Sequence, residues 1–196
     1  MEILLVRHGE TEWSATGKHT GRSDPPLTEK GRAQAELLSQ SLAGRSFERV
    51  LTSPLARAAE TCRLAGLADR AELRDELMEW DYGDYEGLTT PGIRESRPGW
   101  FLWRDGVPNG ETADEVGARA DTVIAELQGL EGDVALFAHG HVLRVLAARW
   151  LELPPTDGAK LSLSTGTLSV LGWERESPAI RGWNLPPGAS PAEAHR

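Results

Sequence analysis

Short apolar runs recur along the chain and predict the strands of a sheet. Residues 3–6, 49–52 and 133–138 form runs of this kind, which are typical of strands buried on both faces. Two later segments, 167–173 and 179–183, also predict strands. We expect the last of these strands at an edge of the sheet.

Amphipathic stripes lie between and after these runs. Apolar residues recur at helical spacing in four segments, residues 28–44, 53–65, 113–127 and 142–151. Thr28 is expected to cap the first helix, and Ser53 the second, with Pro54 in its first turn. This alternation of strand and helix predicts an α/β fold, a three-layer sandwich with a mostly parallel central sheet and helices on both faces.

One stretch breaks the alternation. Residues from about 80 to 110 are rich in Trp, Tyr, Gly and Pro, which predicts a lid-like insertion rather than a second domain. We therefore expect a single domain over residues 1–185. Residues 186–196, rich in Pro, Ala and Gly, predict a flexible tail.

Composition and charge narrow the class of protein. The 196 residues include 21 basic and 30 acidic side chains, and the net charge of −9 argues against nucleic acid or an anionic membrane as a partner. No apolar run is long enough to predict a transmembrane helix. The single Cys62 excludes an internal disulfide and a thiolate metal cage. With no basic leader before the first strand, we expect a cytoplasmic protein.

Arginine and histidine follow three of the predicted strands. Arg7 and His8 follow the first, Arg57 lies just after the second, and His139 and His141 follow the third. The carboxyl ends of parallel strands meet at one edge of a sheet, where ligands bind. The planar guanidinium of arginine can donate two hydrogen bonds to the oxygens of one phosphate group, and a neutral imidazole is a capable nucleophile. Each residue alone has an ordinary structural explanation, but together they indicate phosphoryl chemistry.

Motifs along most of the chain carry a family resemblance. They are LVRHGETEW at residues 5–13, GRSDPPLT at 21–28, SPLARA at 53–58 and AHGH at 138–141. In this order they resemble the histidine phosphatase superfamily, also called phosphoglycerate-mutase-like. The segment EWDYGDYEGLTT at residues 79–90 is similar to a branch of acid phosphatases and sedoheptulose-1,7-bisphosphatases. The resemblance implies a phosphoglycerate-mutase-like fold.

The resemblance also implies roles for individual residues. His8 matches the family's nucleophile, which forms a phosphohistidine. Arg7, Arg57 and His139 match the residues that hold the phosphoryl group. Glu79 matches the acid that protonates the leaving oxygen and later deprotonates water. Asp81, Asp84 and Glu86 are competing candidates for this acid on sequence alone.

The narrower similarity implies a substrate pocket. Its predicted residues are Ser14, His19, Thr20, Trp80, Asp81, Tyr82, Gly140 and Arg144. Much of the wider family has Asn where this chain has Ser14. His139 and His141 have no carboxylate or Cys at ligand spacing beside them, so no metal and no other cofactor is expected.

The function implied is an acid-phosphatase-type phosphomonoesterase that acts through phosphohistidine. Its partner is expected to be a small phosphate ester, a sugar bisphosphate among the candidates, and a homodimer is compatible with the resemblance. The alternative enzyme is a phosphoglycerate mutase, which returns the phosphoryl group to a sugar acid. A third alternative is a non-catalytic module that binds phosphorylated ligands; loss of His8 or of an arginine would favour it, and all are present.

Overall fold

The apolar runs form the centre of a six-stranded sheet in a computed structural model that describes residues 1–189. The strands are β1 (Ile3–Arg7), β2 (Phe47–Thr52), β3 (Ala71–Leu73), β4 (Asp133–Ala138), β5 (Leu168–Glu174) and β6 (Ser177–Leu185). Their order is β3-β2-β4-β1-β5-β6, so β6 lies at an edge, as predicted. The first four strands in this order run parallel, and only β5 runs opposite to them.

Helices cover both faces of the sheet. They are α1 (Glu12–Ala15), α2 (Glu29–Leu42), α3 (Ala56–Leu64), α4 (Thr90–Ser96), α5 (Leu102–Asp105), α6 (Ala113–Leu127) and α7 (Gly140–Trp150). Short 3-10 turns occupy Ala68–Arg70, Asp75–Leu77, Gly83–Tyr85 and Pro155–Lys160. Along β1, Ile3 and Leu5 pack with α6 and α7, whereas Leu4 and Val6 pack with α2 and α3. This alternation confirms the three-layer α/β fold.

The start of α3 corrects one prediction. Ser53 does not cap this helix, which begins at Ala56 after a Leu55 that makes no side-chain cap bond. The Asp24 carboxylate, from a distant loop, accepts hydrogen bonds from the first two backbone N–H groups instead. The Ser53 hydroxyl instead contacts His139, the residue that follows β4. Strand β3 was not predicted, because three residues, of which Glu72 and Leu73 are exposed, give no apolar run.

Residues 80–110 form α4, α5 and a 3-10 turn that bring Trp100 and Trp103 into the core above the sheet. The single domain and the lid remain predictions. Of the predicted tail, residues 186–189 are described, and the Gly188 N–H donates to the Ser41 hydroxyl at 2.9 Å. Residues 190–196 lie outside the described part of the chain. Within residues 1–189, no helix combines the length and apolar character needed to cross a membrane.

Candidate active site

His8 follows β1 and lies almost fully buried at the carboxyl end of the sheet. Its backbone N–H donates to Ala138 at 3.0 Å, which joins the ends of β1 and β4. Its Nδ1 lies 2.7 Å from the Gly9 carbonyl oxygen. Because a carbonyl only accepts, Nδ1 carries the proton and Nε2 keeps a free lone pair. Burial, with Arg7 and Arg57 nearby, holds the pKa of His8 well below its ordinary value, so the ring is neutral.

Two arginines flank this histidine. The Arg57 side chain is fully buried and donates to the carbonyl oxygens of Thr20 and Gly21 at 3.1 and 2.9 Å, and to the Asp24 carboxylate at 3.1 Å. Arg7 donates to the Leu163 carbonyl oxygen. The Nε atoms of both arginines are nevertheless buried and have no hydrogen-bond acceptor. A buried donor without a partner costs folding free energy. The two unpartnered donors therefore indicate that an anionic ligand binds here.

His139 supplies a third donor of the same kind. It follows the last residue of β4 and is the N-cap residue of α7, and its ring centre lies 5.2 Å from that of His8. Its Nε2 lies 2.8 Å from the Ser53 Oγ, and that oxygen accepts a hydrogen bond from the Leu55 N–H at 3.3 Å. We assign the Ser53 hydroxyl as the donor to Nε2, and this assignment places the ring proton on Nδ1. That Nδ1 is buried and unpartnered, and burial, followed by the charge of Arg57, lowers the pKa of His139.

Glu79 lies against the N-terminus of α7. Its side chain is buried, and its two oxygens accept hydrogen bonds from the backbone of His141 at 3.0 Å and of Val142 at 2.9 Å. A third bond comes from the Trp80 N–H at 2.9 Å. A helix N-terminus is a favourable position for a carboxylate. These bonds fix the carboxyl group in place, and Glu79 also lines the cavity described next.

A cavity of about 340 Å³ opens above His8. Its wall is formed by Arg7, His8, Ser14, Gly17, Lys18, His19, Thr20, Glu79, Tyr82, Thr90, Arg94, Trp100, Phe101, Leu102, Trp103 and His141. Arg57 and His139 lie beneath this wall, fully buried. The cavity therefore brings a neutral imidazole and a carboxyl group together with aromatic side chains and several cations.

The competing acids lie outside this wall. Asp81 accepts from the Gly83 N–H at 2.9 Å and lies near Arg22, while Asp84 accepts from the Asn109 side chain. Glu86 accepts from backbone N–H groups, with Gly21 at 2.8 Å. All three carboxylates form hydrogen bonds that stabilise loops and do not line the cavity. Glu79 is therefore the candidate acid that the geometry favours.

Four of the predicted pocket residues lie in the cavity wall, namely Ser14, His19, Thr20 and Tyr82. The Ser14 hydroxyl both accepts from and donates to the backbone of Thr11 at 2.9 Å, which closes the cap of α1. Its single proton is thereby used within the protein. The His19 Nδ1 lies 2.9 Å from the Leu88 carbonyl oxygen, so its Nε2 is the acceptor.

The other four predicted pocket residues lie behind the wall and support it. Trp80 is buried and donates to the Glu111 carbonyl oxygen at 2.8 Å, and Asp81 serves the loop as described. Arg144 donates to the Gly158 carbonyl oxygen at 3.0 Å and lies 4.7 Å from the Trp103 ring. Gly140 makes room for a guanidinium, because a Cβ there would lie 3.1 Å from the Arg7 Cζ.

Sequence reasoning missed several wall residues. Lys18 and Arg94 are exposed cations that ordinarily form solvated surface, and Trp100 and Trp103 were predicted only as part of the lid. His141 was interpreted as a cap or packed residue, yet its ring lines the cavity. The HGH motif was the available signal for His141. Within residues 1–189, no cluster of three or more His, Cys, Asp or Glu side chains is arranged to hold a metal ion.

Comparison with known proteins agrees with this geometry. The family model of the histidine phosphatase superfamily (branch 1) matches residues 3–186. An acid phosphatase of Mycobacterium tuberculosis is 44% identical over 176 residues, 88% of this chain and 86% of that protein. Sedoheptulose 1,7-bisphosphatase of Saccharomyces cerevisiae is 40% identical over 183 residues, 76% of this chain and 67% of that protein. A solved structure of an open-reading-frame product of M. tuberculosis superimposes with a TM-score of 0.90 at 41% identity, covering 94% of this chain and 97% of the other.

The neutral buried histidine and the convergent donors around it define a phosphoryl-transfer site on a phosphoglycerate-mutase-like fold. The chain belongs to the histidine phosphatase superfamily. It is a phosphomonoesterase of that superfamily.

Proposed function

We propose that His8 is the nucleophile of a two-step hydrolysis of phosphate monoesters. One observation carries this assignment: the three buried side-chain nitrogens without a partner in the described chain are Arg7 Nε, Arg57 Nε and His139 Nδ1. All three belong to residues that surround His8, whose Nε2 lone pair is free. Together they match the oxygens of a phosphoryl group held in front of a nitrogen nucleophile.

The first step transfers the phosphoryl group to His8. A bond forms between His8 Nε2 and phosphorus while the ester P–O bond breaks. The departing oxygen takes a proton from the Glu79 carboxyl group, which lines the same cavity. Charge that develops on the phosphoryl oxygens is stabilised by Arg7 and Arg57, which are preorganised by their bonds to backbone carbonyl oxygens.

The second step releases phosphate. A water molecule forms a new P–O bond while the N–P bond to His8 breaks. The Glu79 carboxylate accepts the proton from that water, which returns both residues to their starting states. The fixed position of Glu79 on the α7 N-terminus serves both steps, because leaving oxygen and attacking water occupy the same side of the phosphorus.

We infer that the substrates are small metabolites with a second anionic group, such as sugar bisphosphates. The cavity wall contains two further cations, Lys18 and Arg94, in addition to Arg7. A β-bridge between Lys18 and Thr89 holds Lys18 beside the start of α4, which carries Arg94. Arg94 Nε donates to the Trp100 carbonyl oxygen at 2.9 Å. A relative named for sedoheptulose 1,7-bisphosphate supports the same substrate class.

The remaining proposals come from the sequence. A cytoplasmic location is supported by the lone, buried Cys62, which forms no internal disulfide. A small phosphate ester is proposed as the partner, and the acidic net charge of −9 speaks against nucleic acid and membrane. A homodimer stays a prediction.

A substrate panel tests this function. We expect phosphate release from sugar bisphosphates, with higher kcat/KM than from the matching monophosphates, and no formation of 2-phosphoglycerate from 3-phosphoglycerate. Lys18→Ala and Arg94→Ala should each lower kcat/KM for bisphosphates by roughly 10- to 100-fold, the scale of a hydrogen bond to a charged group, and leave p-nitrophenyl phosphate nearly unaffected. Arg97→Ala, at the C-cap of the same helix and outside the cavity wall, is the control. Equal kcat/KM for monophosphates and bisphosphates would refute the second anion.

A further inference from the structure

His141 presents an imidazole edge to the cavity at the start of α7. Its ring lies among aromatic side chains, with centre distances of 5.3 Å to Trp103, 5.7 Å to Tyr82 and 6.2 Å to Trp80. Its Nδ1 lies 2.5 Å from the Tyr82 hydroxyl oxygen. The ring is therefore held by packing on several sides and by one short hydrogen bond.

The Tyr82 hydroxyl determines which nitrogen of His141 carries the proton. Tyr82 is buried, and burial together with the nearby Glu79 raises the pKa of its phenol well above the ordinary value, so it keeps its proton. Burial and then Arg144 hold the pKa of His141 well below the ordinary value, so this ring is neutral. Because a phenol O–H is a better donor than an imidazole N–H and the imidazole nitrogen is the better acceptor, we assign the hydrogen bond from Tyr82 to Nδ1, which leaves the single ring proton on Nε2.

The Nε2–H group of His141 is available to a ligand. Tyr82 binds the other nitrogen, and Nε2 is not among the buried, unpartnered atoms of residues 1–189. The ring lines the cavity, so Nε2 is reached from there. The backbone N–H of the same residue lies 3.0 Å from a Glu79 oxygen. His141 therefore lies beside the group that faces the ester oxygen.

We propose that His141 is a specificity-determining residue, whose Nε2–H donates a hydrogen bond to an oxygen on the alcohol portion of the substrate. The inference rests on the proposed function, because Glu79 marks the leaving-group side only if it is the acid. A hydroxyl on a carbon next to the scissile ester bond is the acceptor that this position fits. The site then favours esters of polyhydroxy compounds over aryl esters, which lack such a hydroxyl.

Paired substrates and paired variants test the proposal. His141→Phe removes the donor and keeps a ring, and we expect kcat/KM for glycerol 2-phosphate and sugar phosphates to fall roughly 5- to 100-fold. Phenyl phosphate should change less than about two-fold, since it makes no such bond. His141→Gln restores an amide donor and should recover part of the loss. Tyr82→Phe should show the same substrate pattern more weakly, while Tyr85→Phe, which packs on Trp100 outside the cavity wall, should show none.

A spectroscopic measurement is independent of turnover. In ¹⁵N–¹H spectra of the wild-type protein, His141 should appear as the neutral Nε2–H tautomer, and Tyr82→Phe should give a mixture of tautomers. An Nδ1–H tautomer in the wild type, or equal loss on phenyl and polyol phosphates in His141→Phe, overturns the inference. Failure of the proposed function is distinguishable, because the wild type would then release phosphate from neither ester.

Discussion

Gly140 lies against the guanidinium of Arg7, and a Cβ at this position would come within 3.1 Å of the Arg7 Cζ. That guanidinium also donates a hydrogen bond to the Leu163 carbonyl oxygen, which limits its freedom to move away. The first residue of α7 thus carries no side chain because the Arg7 guanidinium occupies the space.

Gly140→Ala should therefore reduce activity without unfolding the protein. The added methyl displaces the Arg7 guanidinium, and we expect kcat/KM to fall on the order of 10- to 100-fold, less than the loss of a whole oxyanion donor. The melting temperature should change little, since Gly140 is helical and alanine favours a helix. Gly92→Ala in α4 is the control, because its Cβ would meet only the Thr89 Oγ1 at 3.4 Å. Unchanged kcat/KM in Gly140→Ala would contradict the role of Arg7.

Glu79→Gln separates the two chemical steps. With alkyl phosphates, the variant should lose roughly 10²- to 10⁴-fold in kcat, the usual scale of general acid–base catalysis. The leaving group of p-nitrophenyl phosphate needs little protonation, so phosphorylation of His8 should stay fast while hydrolysis of the phosphoenzyme becomes slow. Stopped-flow measurement should then show a burst of p-nitrophenol. Wild-type kinetics on both substrates would place the acid elsewhere.

Stability should fall as the solution is acidified through the histidine range. The pKa values of His8, His139 and His141 are all held well below the ordinary value of 6.5, with burial as the largest cause. Above about pH 6.5 each ring is neutral both folded and unfolded. Below this pH the histidines bind protons in the unfolded chain but not in the folded chain. Each histidine therefore lowers the free energy of unfolding by up to ~1.4 kcal/mol for every pH unit of acidification.

Urea unfolding between about pH 7.5 and about pH 5.5 measures this effect before most carboxylates titrate. His141→Phe should weaken the dependence of the unfolding free energy on pH, because the variant lacks one of the three buried histidines. A free energy of unfolding that stays constant or rises on acidification through this range would show that these rings are not held neutral.

The fold was largely predictable because its central strands are continuous apolar runs. Residues 133–138 and 113–127 match the bounds of β4 and α6. The start of α3 was not predictable, because the capping carboxylate of Asp24 comes from a loop brought there by the tertiary fold. A local pattern contains no information on such a partner.

The sequence motifs also indicated the residues around His8, since strand ends place them at one edge of the sheet. The wall of the cavity was less predictable. Arg144 lies one turn into α7 and was expected at the substrate, but its guanidinium donates to the carbonyl oxygen of Gly158 behind the wall. Lys18 and Arg94 look like solvated surface in the sequence, and only the packing of α4 places them at the cavity.

Trapping the phosphoenzyme is the most direct test of the central claim that His8 carries the phosphoryl group. Wild-type protein is mixed with a ³²P-labelled phosphate ester and quenched rapidly, and the labelled peptide is identified. We expect an acid-labile, base-stable label on His8, no label in a folded His8→Ala variant, and activity that persists in excess chelator. Label on another residue, or full activity of His8→Ala, would contradict the account.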